Sequence, residues 1–204
     1  MKKRILSLAL VVALVAIMLT SFTLAYFTDT TEAKSNVFTV GNVEIELSEP
    51  AWTTEEAENV YPGEALPKDP TVTNVGPNPC FVRVKVYGLD QFGTKGEIAL
   101  RHGNYVPGYD SDNWTLIDGY YYYNKVLAAK ADLNNGYNEG LSDVTAPLFN
   151  QIVMPIGLDG SEQAQPINIY AEAVQAQGAR ASYSAVKAMT PAEIAAWFTT
   201  CGME

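Results

Sequence analysis

The chain has 204 residues, with 13 Lys and Arg against 23 Asp and Glu, and a formal charge of −10. That length suits one domain. The acidic balance argues against nucleic acid or an anionic membrane as partner, because phosphate binding needs clustered Lys and Arg.

The first fifty residues carry three signals in succession. Lys2, Lys3 and Arg4 give a positive start, and an uncharged, mostly apolar run follows from Ile5 to Phe27. A small residue then precedes a polar patch, the order of a secretory signal peptide, with cleavage expected between Ala25 and Tyr26. The other reading is an uncleaved anchor, since about 20 apolar residues span a bilayer. Ser7, Thr20, Ser21 and Thr23, and the lack of basic residues beyond the run, favour cleavage. Membrane contact is then expected only through residues 1–25, and the product is expected to be secreted.

Residues 26–204 read as one domain of short strands. Val37–Val40 and Val43–Leu47 flank Gly41-Asn42, and the second alternates: Val43, Ile45 and Leu47 on one face, Glu44 and Glu46 on the other. Residues 50–70, rich in Pro and Glu, read as a loop with a turn at Pro62-Gly63. TVTNVGPNP predicts a short strand and a turn. CFVRVKVYG is the clearest strand: Val82, Val84 and Val86 share one face, while Phe81, Arg83, Lys85 and Tyr87 share the other. Two cations on one face predict that this face meets water and that the valines meet the core.

GEIALR is read as a strand or a helical turn. In WTLIDGYYYYNKVLA, Asp118-Gly119 is a two-residue type I′ hairpin signal. The four tyrosines place two rings on each face, so both faces are expected to be partly covered. PLFNQIVMP and INIYAEAVQAQG are further strand candidates. In the latter, Ile167, Ile169, Ala171 and Ala173 alternate with Asn168, Tyr170, Glu172 and Val174. Residues 190–199 predict a helix: Thr190 caps, Pro191 opens the first turn and Glu193 reaches back as in a capping box. The expected fold is all-β, an antiparallel β-sandwich of jelly-roll or Greek-key type with a short C-terminal helix, preceded by a signal-peptide helix.

Cys80 and Cys201 are the only cysteines. Three readings stand: a disulfide, closing a loop of about 120 residues and worth roughly 4–5 kcal/mol in the chain-entropy model, two separate thiols, or a bridge between subunits through Cys201. No catalytic constellation is visible. The single histidine, His102, lies in RHGNY without an HExxH motif, so the two-histidine zinc helix is missing. GxSxG, GxGxxG and P-loop patterns are absent. Asp110 and Asp112 offer oxygen ligands of the kind calcium takes, but Trp114 stands where a further ligand belongs. No cofactor, metal or catalytic residue is therefore expected.

AYFTDTTEAKSNVFTVGNVEIEL resembles the signal-peptide junction and first strand of the TasA/camelysin family of Gram-positive bacteria, whose signal is removed by a SipW-type signal peptidase. The matching elements are Ala25-Tyr26-Phe27-Thr28-Asp29 and Asn36-Val37-Phe38-Thr39-Val40-Gly41-Asn42-Val43. NVYPGEALPKDPTVTNVGPNPCFVRVKV, DGYYYYNKVL and IYAEAVQAQG are similar to later segments of exported relatives. The resemblance implies a jelly-roll fold and a place in the biofilm matrix or on the cell surface. It also implies self-association, or association with a related fibre subunit, by donation of the mature N-terminal strand. Here that strand is residues 26–41, with Phe27, Val37, Phe38 and Val40 as its apolar side chains; in an isolated chain the same segment is expected to pair within its own domain as an edge strand, and in the assembly to be donated. Two alternatives remain: a camelysin-like surface metalloprotease, and an adhesin or carbohydrate-binding module using the tyrosine run.

Overall fold

The computed structural model describes residues 43–52, 60–130, 141–162, 166–176 and 186–203. The chain divides into Met1–Thr39 and Val40–Glu204, and every described residue belongs to the second unit. The signal segment 1–25, the Ala25–Tyr26 junction and the candidate assembly residues Phe27, Val37, Phe38 and Val40 lie outside the described residues. Among the described residues, no helix is long and apolar enough to cross a membrane.

Nine strands, a 3-10 turn at Gly93–Lys95 and the C-terminal helix are the named elements of the described fold. The strands are β1 (Ile45–Ser48), β2 (Ala65–Pro67), β3 (Thr71–Asn74), β4 (Cys80–Tyr87), β5 (Ala99–Arg101), β6 (Trp114–Ile117), β7 (Tyr120–Tyr123), β8 (Gln151–Val153) and β9 (Asn168–Gln175). The helix α1 spans Pro191–Thr200. Every strand pairing is antiparallel. The strands form a pair, β1-β3, a three-stranded sheet ordered β2-β8-β5, and a four-stranded sheet ordered β6-β7-β4-β9.

One core gathers the inner faces of all three sheets. Leu66 of β2, Val72 of β3, Val82 and Val84 of β4, Leu100 of β5, Trp114 of β6 and Ile152 of β8 are all buried in it. Burying the alternate apolar side chains of each strand in one place is what a period-2 pattern dictates. A second core lies on the other face of the four-stranded sheet. There Phe81 of β4, Tyr122 of β7 and Val174 of β9 pack against Ile194 and Phe198 of α1, one helical turn apart.

The hairpin and the helix form where expected. Asp118 and Gly119 both take positive φ, 51° and 81°, and Ile117 pairs with Tyr120 across them. Two positive φ values in a two-residue loop are the type I′ geometry, matched to the twist of the flanking strands. In the capping box at α1, Thr190 N donates to Glu193 Oε2 at 2.7 Å and Glu193 N donates to Thr190 Oγ1 at 3.4 Å. Pro62 and Gly63 turn the chain, with Gly63 at φ 80° and Glu64 N donating to Tyr61 O at 3.1 Å. GEIALR supplies strand β5.

Two expectations are corrected. Residues 50–70 are not all loop, because Ala65–Pro67 pair with β8 and Leu66 is buried. Pro67 is compatible with a strand here because β2 is at the edge of its sheet. The charged face of β4 does not simply meet water. Arg83 is only 3% exposed, because α1 covers that half of the sheet.

Candidate functional site: a strand edge and an aromatic row

The direction of each backbone group along β9 follows from its C-terminal end. Ala176 N donates to Pro79 O on the β4 side. Cys80, the partner of Gln175, turns its own N–H and C=O away from β9, to Leu127. Strand alternation then aims the amides and carbonyls of Val174, Glu172, Tyr170 and Asn168 at β4. Those of Ile169, Ala171 and Ala173 point outward. Among the described residues no strand bonds to them, although β1 lies close to β9.

One end of this edge is closed. Trp197 of α1 donates its indole Nε1–H to Gln175 O at 2.9 Å. Among the described residues, the stretch of this edge without a bonded strand runs from Asn168 to Ala173. Its outward residues carry Ile169, Ala171 and Ala173, small or aliphatic side chains that pack on the first core.

Other edges are covered or short. On β6, Trp114 N donates to Asp110 O at 2.9 Å and Leu116 N to Tyr109 Oη at 3.4 Å. On β5, Leu100 O accepts from Gly108 N at 2.8 Å. The outer side of β3 is bonded to residues 143–145. The edge strands β1 and β2 are four and three residues long, against eight for β9.

Beside the start of β9, Ile167 forms one wall of an apolar groove of about 350 Å3, with Trp52, Leu66, Phe92, Ile98 and Met154. Lys68 lies in the same groove, 4% exposed, 2.7 Å from Glu49 and 4.4 Å above the Trp52 ring. Its charge is thus answered by a carboxylate and an aromatic face.

The helix-side face of the four-stranded sheet divides into a sealed half and an open half. In the sealed half, Arg83 donates from Nε to Glu172 Oε2 at 2.6 Å and from Nη1 to Tyr122 Oη at 3.2 Å. Its guanidinium lies 3.9 Å from the Tyr120 ring and 4.9 Å from Phe198. Burial opposes the charge, but the hydrogen bonds to Tyr122 and Glu172 and the charge of Glu172 outweigh it and hold the Arg83 pKa above its usual value. In the open half, Lys85 pairs with Tyr170, and Tyr87 with Asn168.

The residues singled out from sequence do not converge. Cys80 is buried and unpaired, and Cys201 is exposed and unpaired at the end of α1. The disulfide reading is therefore not realised. Burial pushes the Cys80 thiol up to about 12, so it holds its proton in the neutral range. His102 Nε2 lies 4.0 Å from Asp110 Oδ1, while its Nδ1 is buried without a hydrogen-bond partner. Asp110 builds a turn, accepting from Asn113 Nδ2 at 2.8 Å and, at its carbonyl, from Trp114 N. Among the described residues no group of three or more His, Cys, Asp and Glu is placed to hold a metal ion.

The tyrosine run divides as its alternation requires. Tyr121 and Tyr123 pack on the first core, and Tyr120 and Tyr122 on the second. Sequence reasoning missed the β9 edge and the open aromatic row. The second left a trace: Tyr170 and Glu172 alternate on one face of β9, facing Lys85 and Arg83 of β4. No family model matches the chain, and no curated protein or solved structure matches it either.

Proposed function

We propose that this chain is an exported structural protein of the cell surface or biofilm matrix, which assembles into or decorates fibres by strand addition. The described domain is taken as a β-sandwich of jelly-roll type. Residues 1–25 act as the export signal, removed at Ala25–Tyr26 by a SipW-type signal peptidase. The released segment 26–41 of one copy, or of a related fibre subunit, adds to the outer edge of β9 in the next. The observation that carries this reading is the set of outward backbone groups on Ile169, Ala171 and Ala173, unbonded by any described strand.

An extended segment laid along β9 satisfies those groups and places alternate side chains on opposite faces of the sheet. Val37 alternates with Phe38 and Val40, and Phe27 lies near the start of the segment, so either face receives apolar surface. A contact of this kind, repeated from head to tail without closing, makes a filament. The acidic charge fits a partner that is neither nucleic acid nor anionic lipid.

The test is electron microscopy of purified residues 26–204 across pH and concentration. Filaments, or growth onto a preformed fibre, are expected, and removal of residues 26–36 abolishes them. Ala171→Pro removes an outward N–H, not one bonded to β4, so it preserves the domain and blocks growth. A protein that stays monomeric under every condition sinks the reading. Filaments that survive Ala171→Pro relocate the acceptor away from β9.

A further inference from the structure

The open half of the helix-side sheet face holds a feature that strand addition does not use. Lys85, Tyr87, Tyr120, Asn168, Tyr170 and Glu172 surround a depression of about 480 Å3, within the size range of small-ligand sites. Tyr87 and Tyr170 are 45% and 58% exposed. Their rings meet edge to face, with centroids 5.5 Å apart and planes at 85°. Two large aromatic side chains held against each other at the surface offer rigid area at low entropic cost.

Lys85 sits at the centre of this row. Its Nζ lies 4.6 Å from the Tyr120 ring and 5.2 Å from the Tyr87 ring. It makes no ion pair among the described residues, whereas the neighbouring Arg83 is matched by Glu172. In a chain of formal charge −10, an ammonium group set between two tyrosine rings, with no carboxylate within ion-pair distance among the described residues, stands out as a local positive centre. Beside it, Asn168 brings an amide and Glu172 a carboxylate, so donors and acceptors surround an aromatic floor.

We propose that this depression binds a sugar residue of an acidic polysaccharide, with the sugar carboxylate on Lys85 and an apolar ring face on Tyr170. A pyranose presents C–H groups on its faces and hydroxyls around its rim. The faces suit tyrosine rings, and the hydroxyls suit Asn168 and Glu172. A neutral sugar leaves the charge of Lys85 unanswered, and an acidic peptide leaves the aromatic floor without a flat partner. Nucleic acid needs clustered Lys and Arg for its phosphates, and Lys85 is the one cation among the residues lining this depression. The outward backbone groups lie on the edge of β9 and this depression on its face, so Ala171→Pro tests the assembly reading and Lys85→Met tests this site.

The experiment is affinity electrophoresis of the full chain through gels containing polygalacturonate, dextran or polyglutamate. Retardation by polygalacturonate is expected, at least tenfold stronger than by either of the others, and weakening as salt rises. Tyr170→Ala and Lys85→Met should each cut it tenfold or more with unchanged far-ultraviolet circular dichroism. Tyr87→Ala, a second exposed position, should weaken it as well if Tyr170→Ala disturbs the fold. The proposal is overturned by absence of retardation in polygalacturonate, by equal retardation in dextran or polyglutamate, or by folded variants that bind as the parent does. Filaments that form normally but do not bind polygalacturonate overturn this site and leave the assembly reading intact.

Discussion

Arg83 of β4 and Glu172 of β9 face each other in register, with Nε and Oε2 2.6 Å apart, the arginine sealed by α1 and the glutamate partly open to water. The pair is the hinge between the closed and open halves of one sheet face. Removing the glutamate strands a charge under the helix, whereas removing both leaves a site that apolar contacts fill. Glu172→Ala is expected to lower stability by about 2 kcal/mol, below the range for a fully buried pair because Glu172 is partly solvated. Arg83→Met with Glu172→Ala should cost less than the two changes added together. Urea unfolding of the four proteins of this cycle measures the coupling.

Trp197 closes one end of the β9 edge through its bond to Gln175 O. Trp197→Phe keeps most of the ring and removes the donor. A loss of about 1 kcal/mol is expected, the usual net worth of one hydrogen bond. The freed carbonyl lengthens the available edge, so filament growth followed by light scattering should start sooner. Growth no faster than that of the parent would show that the indole does not limit strand addition.

Lys95, Asp159 and Glu162 tie the turn after β8 to the 3-10 turn at Gly93–Lys95. Lys95 Nζ lies 3.1 Å from Asp159 Oδ1 and also bonds Glu162 Oε1. Hydrogen bonds from Ser161 and then Lys95 hold the Asp159 carboxyl far below its usual value, and the bond from Lys95 lowers Glu162. Carboxyls lowered in the folded state stabilise it above their unfolded pKa values and lose that contribution as pH falls through the folded ones. The turn is therefore expected to hold through mild acid and to loosen only below the ordinary carboxylate range. In Lys95→Met both carboxyls should titrate at higher pH, followed by their side-chain carbon shifts in an NMR titration.

The two thiols should behave oppositely. Cys201 is exposed, while Cys80 is buried with its pKa pushed up to about 12. At pH 8 a thiol reagent is expected to modify one cysteine per chain quickly and the second only after denaturant is added. Mass spectrometry after digestion assigns the sites. Rapid modification of Cys80 in the folded protein would contradict the packing of β4.

Local chemistry was the legible part of this molecule. The Asp118-Gly119 hairpin and the Thr190–Glu193 capping box each depend on neighbours within four residues, and both form where the sequence places them. The valine face of β4 was also readable, since Val82 and Val84 enter the first core as their alternation requires. Arg83 was misread because a cation in a strand is ordinarily a sign of solvent. Its cover comes from Phe198 on a distant helix, and its partner Glu172 from another strand, so no local pattern encodes either. Strand β2 was missed for the same reason: three residues ending in proline become a strand only because β8 lies alongside. The edge position of β9 among the described strands depends on which of them pair with it, information that a single segment does not hold.

Phe198 and Ile194 close the second core over Phe81, which belongs to a strand made much earlier. A growing chain therefore carries Phe81 and Arg83 uncovered until the helix has been synthesised, and the sheet reaches its final form only after that. Contacts so distant in sequence slow the last step of folding.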